Sequence, residues 1–170
     1  MITSEWLTGL SSMLHIITGG IDHGKTTRLL SIYREIGRGD GIVTLKLFIN
    51  GHNAGQEVMR LSTGEKKQFS FRNGFIPESG WQEKHRYGPY SFSAEGLEFA
   101  EAVIRSLFEN GCEPVFIDEI GPLELEDKGL HYVFSKLTAA KRKDAWVVIR
   151  ENCVRKVICK YLIADYAIIK

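Results

Sequence analysis

Gly19, Gly24, Lys25 and Thr26 stand at the fixed places of the pattern G-x-x-x-x-G-K-[ST], inside Gly19-Gly20-Ile21-Asp22-His23-Gly24-Lys25-Thr26-Thr27. That spacing is suited to a chain of phosphates. The loop turns a row of backbone N–H groups inward, and the helix that follows presents its positive end. Lys25 is expected to reach the β- and γ-phosphates, and the Thr26 hydroxyl to ligate Mg²⁺. The second chemical stretch is Val115-Phe116-Ile117-Asp118-Glu119-Ile120-Gly121. An acid at the C-terminal end of a buried strand points into the crevice where α/β sheets bind ligands. Asp118 is therefore expected to hold Mg²⁺ opposite Thr26, through a water. Glu119 follows directly and is expected to face another direction, placed to orient or deprotonate an attacking water. Arg150 ends a later apolar strand and can reach the γ-phosphate as a charge stabiliser. A salt bridge to Glu151 or Asp118 is the alternative for it.

These side chains need a scaffold, and the apolar pattern describes one. Leu14-His15-Ile16-Ile17 reads as a buried strand before the loop, and Leu29, Leu30, Tyr33 and Ile36 mark the helix after it. A second strand covers 41–48. Alternating stretches at 56–61 and 68–71, with a turn at Thr63-Gly64-Glu65, suggest an antiparallel hairpin inserted at the sheet edge. The stretch 72–90, rich in Gly, Pro, aromatic and charged residues, reads as an irregular lid or insertion. Ser93 is expected to cap a helix that Asn110-Gly111 closes. Further strands are expected at 114–117, 146–149 and 167–169, with helices over 130–141 and near Val154 to Tyr161. Strand and helix alternate, and the strands are nearly continuous in apolar residues. An α/β fold follows, with a mainly parallel sheet of about five strands flanked by helices.

Bulk properties restrict the function classes. A chain of 170 residues is about one domain long, so residues 1–170 are read as a single domain. A formal charge of +1 gives no reason to expect a nucleic-acid or membrane surface. No apolar run has the length of a membrane span. Cys112, Cys153 and Cys159 are odd in number and form no C-x-x-C pair, which argues against disulfide or zinc frameworks and suits a reducing cytoplasm. Met1 to Ser12 carry Trp6, Leu7 and Leu10, either a short amphipathic turn or a frayed end. Lys141-Arg142-Lys143 reads as a solvated helix end. His15 reads as a core histidine, and His23 as a loop residue whose ring packs.

The two motifs together resemble the P-loop nucleoside-triphosphatases first described from thermophiles, which include the human cancer-related nucleoside-triphosphatase. The similarity runs from Leu14 onward. Its most specific piece is Asp118-Glu119-Ile120-Gly121-Pro122-Leu123-Glu124-Leu125, with Gly41-Ile42-Val43-Thr44, Gly55 and Tyr90-Ser91-Phe92 similar as well. The resemblance implies Mg²⁺-dependent hydrolysis of NTP to NDP and phosphate, with broad base tolerance. ATP or GTP is the expected nucleotide, and a monomer or weak oligomer the expected assembly. It also implies that the strand carrying Arg150 lies between the phosphate-loop strand and the Asp118 strand. Two departures stand out: Leu45 and Lys46 where family members often carry acids, and Asp22 where many phosphate loops have glycine. Asp22-His23-Gly24-Lys25-Thr26 is also similar to translational GTPases, so a GTP-dependent regulatory switch is one alternative. No [NT]-K-x-D guanine-reading motif follows it. A small-molecule kinase is the other alternative, for which Arg72, Lys84 and Arg86 would furnish a cationic lid.

Overall fold

The computed structural model describes residues 13–140 and 144–170; the readings made for Met1 to Ser12 and for Lys141-Arg142-Lys143 lie outside the described residues. The chain runs β1 (Leu14–Ile17), α1 (Lys25–Ile36), β2 (Asp40–Ile49), β3 (His52–Arg60), β4 (Lys66–Arg72), β5 (Glu83–Tyr87) and β6 (Tyr90–Ser93). It continues with α2 (Ala94–Glu109), β7 (Val115–Ile120), α3 (Pro122–Leu125), α4 (His131–Ala139), β8 (Ala145–Ile149), α5 (Val154–Lys160) and β9 (Tyr166–Ile169).

All nine strands form one mixed sheet in the order β5-β6-β4-β3-β2-β7-β8-β1-β9, which corrects the expectation of about five mainly parallel strands. From β2 to β9 every neighbouring pair is parallel, and from β2 to β5 every pair is antiparallel. The antiparallel extension is thus four strands, not one inserted hairpin. The stretch 72–90 is irregular over 73–82, as expected, but not throughout. Glu83–Tyr87 is an edge strand on β6, and its Arg86 bonds Glu83 at 2.6 Å and Asn73 at 2.8 Å. Strand β8, which leads into Arg150, lies between β1 and β7 as the resemblance implied.

Both faces of the sheet are covered. Ile17, Val43, Phe116 and Val148 pack on Leu29 and Ile32 of α1. Ile16, Ile42, Ile117 and Val147 join the larger cluster with Leu97, Ala100 and Ile104 of α2 and Phe134 of α4. Burying such a Leu, Ile or Phe side chain stabilises by about 1.5–3 kcal/mol, which is why the apolar runs lie at the centre of the sheet. His15 is buried, stacked on Trp146 with ring centroids 4.1 Å apart, its Nε2 lying 3.2 Å from Asp144. Ser93 caps α2, its Oγ accepting the Gly96 N–H at 2.8 Å. Among the described residues, no helix is long and apolar enough to cross a membrane.

Candidate active site

The crevice originates where two neighbouring strands part. β2 pairs with β7 only over Asp40–Ile42 against Val115–Ile117, so beyond those residues the ladder opens. Thr44 still faces Val58 of β3 but lies past the last β7 pair, and its N–H donates to Asp118 Oδ2 at 3.1 Å. A second irregularity lies on the other side. Between β7 and β8 the register passes from Ile117–Val147 to Ile120–Ile149, which leaves one extra residue on β7 at Asp118-Glu119. Such a bulge re-aims side chains. Glu119 adopts φ 66°, a left-handed conformation that costs a non-glycine residue of order 1–3 kcal/mol. The two acids therefore do not diverge as strand alternation predicts. Thr44 Oγ1 lies 3.1 Å from Asp118 Oδ2 and 3.1 Å from Glu119 Oε2.

Across the crevice stands the loop. Gly24 adopts φ 72° and caps α1 in the left-handed region, where glycine bears no side-chain clash. Asp22 adopts φ 61° in the middle of the loop. The first turn of α1 carries no acid, so its positive end is not offset there. Lys25 Nζ donates to the carbonyls of Gly19 at 3.0 Å and Gly20 at 2.5 Å, which centres its charge over the loop. His23 folds back: a Cβ on Gly20 would stand 2.9 Å from its ring, so the ring covers the bare Gly20 backbone. Ile21 is 89% exposed at the outer turn, and Thr27 is exposed at the third position of α1. Thr26 Oγ1 donates directly to Asp118 Oδ2 at 2.7 Å. The loop and the β7 acid thus meet side chain to side chain.

Arg150 sits just past β8 and bonds Glu119, with Nη2 to Oε1 at 2.6 Å. Neither Glu151 nor Asp118 is its partner, which corrects both alternatives weighed from the sequence. Gly121 makes this possible, since a Cβ there would stand 3.2 Å from Arg150 Cδ. Burial opposes the guanidinium charge, but Glu119 beside it outweighs burial, and the pKa of Arg150 is raised. Asp118 is fully buried, and burial followed by the charge of Glu119 pushes its carboxyl up to about 6, against the donors Thr26 and Thr44.

Three contacts were not legible in the sequence. Thr44 ties both acids together. Gln56 of β3 donates from Nε2 to Glu119 Oε2 at 2.6 Å. Lys46 of β2 meets Asp22 at 2.5 Å, so the two unusual residues noted in the sequence neutralise each other. A lone lysine and a lone loop acid, 24 residues apart, carry no local signal that they pair.

The Archaeoglobus fulgidus nucleoside-triphosphatase THEP1 is 28% identical over 116 residues, 66% of this chain and 62% of that protein. The Thermofilum pendens nucleoside-triphosphatase THEP1 is 34% identical over 117 residues, 65% of this chain and 59% of that protein. The chain thus matches about three-fifths of the length of these curated relatives. Among solved structures, THEP1 from the hyperthermophile Aquifex aeolicus superposes with TM-score 0.74 at 22% identity, over 93% of this chain and 89% of that one. A human cancer-related nucleoside triphosphatase superposes with TM-score 0.66 at 22% identity, over 94% and 88%. These two show the same fold. A family model described as NTPase matches residues 15–165, and the chain belongs to that NTPase family.

Proposed function

We propose that this chain hydrolyses nucleoside triphosphates, ATP or GTP among them, to NDP and phosphate, as one domain acting with Mg²⁺. The observation that carries the reading is the paired acid. Asp118 meets the loop threonine, while Glu119, one residue on, is turned toward Thr44, Gln56 and Arg150.

The donor set suits Mg²⁺. Thr26 and Asp118 present hard oxygens 2.7 Å apart, and Asp118 is a buried acid whose hydrogen-bond donors are all neutral. Among the described residues no group of three or more His, Cys, Asp or Glu forms a metal cage. That agrees with an ion held by one or two protein oxygens together with phosphates and waters. When bound, Mg²⁺ neutralises charge developing on the phosphates.

The chain's own residues do the rest. The N–H groups of 19–24 and the α1 terminus cradle the phosphates, and Lys25 exchanges its loop carbonyls for phosphate oxygens. Glu119 orients a water and accepts its proton, a role that typically contributes about 10²–10⁴-fold. Arg150, resting on Glu119, is within the same cluster and stabilises charge on the transferred phosphoryl group. Broad base tolerance is what membership of the NTPase family implies for the nucleotide. Of the three cations a lid would use, Arg72 lies over the Tyr90 ring at 5.7 Å, Arg86 is bonded to Glu83, and Lys84 is exposed on β5.

Phosphate release measured in parallel with ATP, GTP, CTP and UTP tests the reading. Comparable release from all four supports it. Tight binding of GTP alone with negligible release contradicts it, and so does phosphate appearing on an added acceptor.

A further inference from the structure

We infer that Gln56 is a positioning residue for Glu119, and that the antiparallel extension of the sheet delivers it. The inference rests on the reading of Glu119 as the water-orienting base. Glu119 needs external support, because its backbone is held at φ 66° and its side chain leaves the strand at a bulge. One oxygen is taken by Arg150, and the other by Gln56 at 2.6 Å with Thr44 at 3.1 Å.

The amide of Gln56 is itself fixed. Its Oε1 accepts the hydroxyl of Ser70 at 3.2 Å, which turns Nε2 toward the carboxylate. Ser70 is fully buried and stands directly across the ladder from Gln56. The ladder is built to keep that pairing. β4 carries one extra residue, Phe69, between the partners of Gln56 and Glu57. Gln68 Nε2 secures the irregularity with bonds to Gln56 O at 3.0 Å and Ser70 O at 2.9 Å. Just before it, Gly55 lets the two backbones approach, since a Cβ there would stand 2.0 Å from Ser70 O. Lys46 is the cross-strand partner of Gln56 on β2, and Thr44 lies two residues before Lys46, so one face collects Thr44, Lys46 and Gln56. A hydrogen-bonded chain thus runs from Ser70 through Gln56 to Glu119 and on to Arg150.

Such a support acts on turnover and not on nucleotide affinity, because Gln56 touches the base and not the phosphate loop. Gln56→Met keeps length and packing while removing the donor. Its kcat is expected to fall about 10–100-fold, the range for a lost hydrogen bond to a charged group. Kd for Mg-nucleotide is expected to stay within about threefold, a split that separates a positioning role from a folding one. Ser70→Ala, which leaves Gln56 in place but unoriented, should show a smaller fall of the same kind. Glu119→Gln and the double variant Glu119→Gln/Gln56→Met complete the set, measured by single-turnover hydrolysis with affinity in parallel. A double variant no slower than Glu119→Gln alone supports the inference, since the support then has nothing left to hold. Multiplied losses overturn it, as does a Gln56→Met variant that turns over like wild type while Glu119→Gln is slow. Losses in kcat matched by equal losses in affinity also overturn it. If Glu119→Gln itself hydrolyses at the wild-type rate, the base assignment falls and this inference with it.

Discussion

Raising the pH from about 5 to about 8 is expected to weaken the fold through Glu124, and the size of the effect follows from where that carboxyl sits. Glu124 is 4% exposed and lies in α3, the short helix after the two acids. Its Oε2 accepts the Gly121 N–H at 2.8 Å, and its Oε1 accepts the Leu130 N–H at 2.9 Å. Burial dominates these two bonds, with the charge of Glu119 adding to it, and the carboxyl is pushed up from 4.5 to about 7. Between those values the folded state holds a proton that the unfolded state has released. The unfolded chain therefore gains relative stability as pH rises through the window. At about 1.36 kcal/mol per pH unit, the loss amounts to roughly 3 kcal/mol, complete above pH 7. For a chain of this size that corresponds to a fall in Tm of roughly 6–12 °C. Glu124→Gln removes the titration. Its amide N–H₂ faces a backbone donor, so the variant carries a constant penalty, and the comparison must be made on the slope of Tm with pH. Asp118, also raised, contributes the same sign in both proteins and cancels. Thermal unfolding from pH 5 to 8 without nucleotide should give a distinctly flatter profile for the variant. Parallel profiles would refute the account of Glu124.

Further outcomes follow from the loop and the ladder. Asp22→Gly is expected to tighten nucleotide binding roughly two- to fivefold, because it frees Lys46 to face the phosphates, while Lys46→Ala weakens binding by a similar factor. The double variant should return close to wild type by titration calorimetry, and weaker binding by Asp22→Gly itself would show that Asp22 braces the loop. Gly55→Ala drives a Cβ against the Ser70 carbonyl, where backbone stands on both sides, and should destabilise by about 2 kcal/mol or more in urea unfolding. Lys25→Ala should weaken Mg-nucleotide binding, and unchanged binding would remove Lys25 from the phosphate site.

Much of the scaffold was legible in the sequence because local and global signals coincide there. Leu14–Ile17 is a strand with all four residues buried, and a buried strand announces itself as an unbroken apolar run. Ser93 caps α2 with its side chain, and Asn110-Gly111 closes it, with Gly111 at φ 64°. Glu83-Lys84-His85-Arg86-Tyr87 could not be read as a strand, since an edge strand held by β6 has no apolar face to display. Within the site, Lys25 and Thr26 were legible because they belong to a motif of fixed spacing, and Asp118 because it ends an unbroken apolar strand. The partners of Glu119 were not. Gln56 and Thr44 are 63 and 75 residues from it in sequence, and Arg150 is 31 residues away. They meet only because β7 bulges and β2 parts from it, and both features depend on strand pairing that no local pattern encodes.

The central claim is that Glu119 activates water in a site whose nucleotide binding depends on other residues. Single-turnover hydrolysis by Glu119→Gln, with Mg-nucleotide affinity measured on the same preparation, tests it most directly. The substitution keeps size and one acceptor oxygen for Arg150 but loses basicity, and its N–H₂ replaces the oxygen that accepts from Gln56 and Thr44. Turnover is expected to fall by about 10²–10⁴-fold while affinity stays close to wild type. Equal rates for the variant and the wild type would contradict the account.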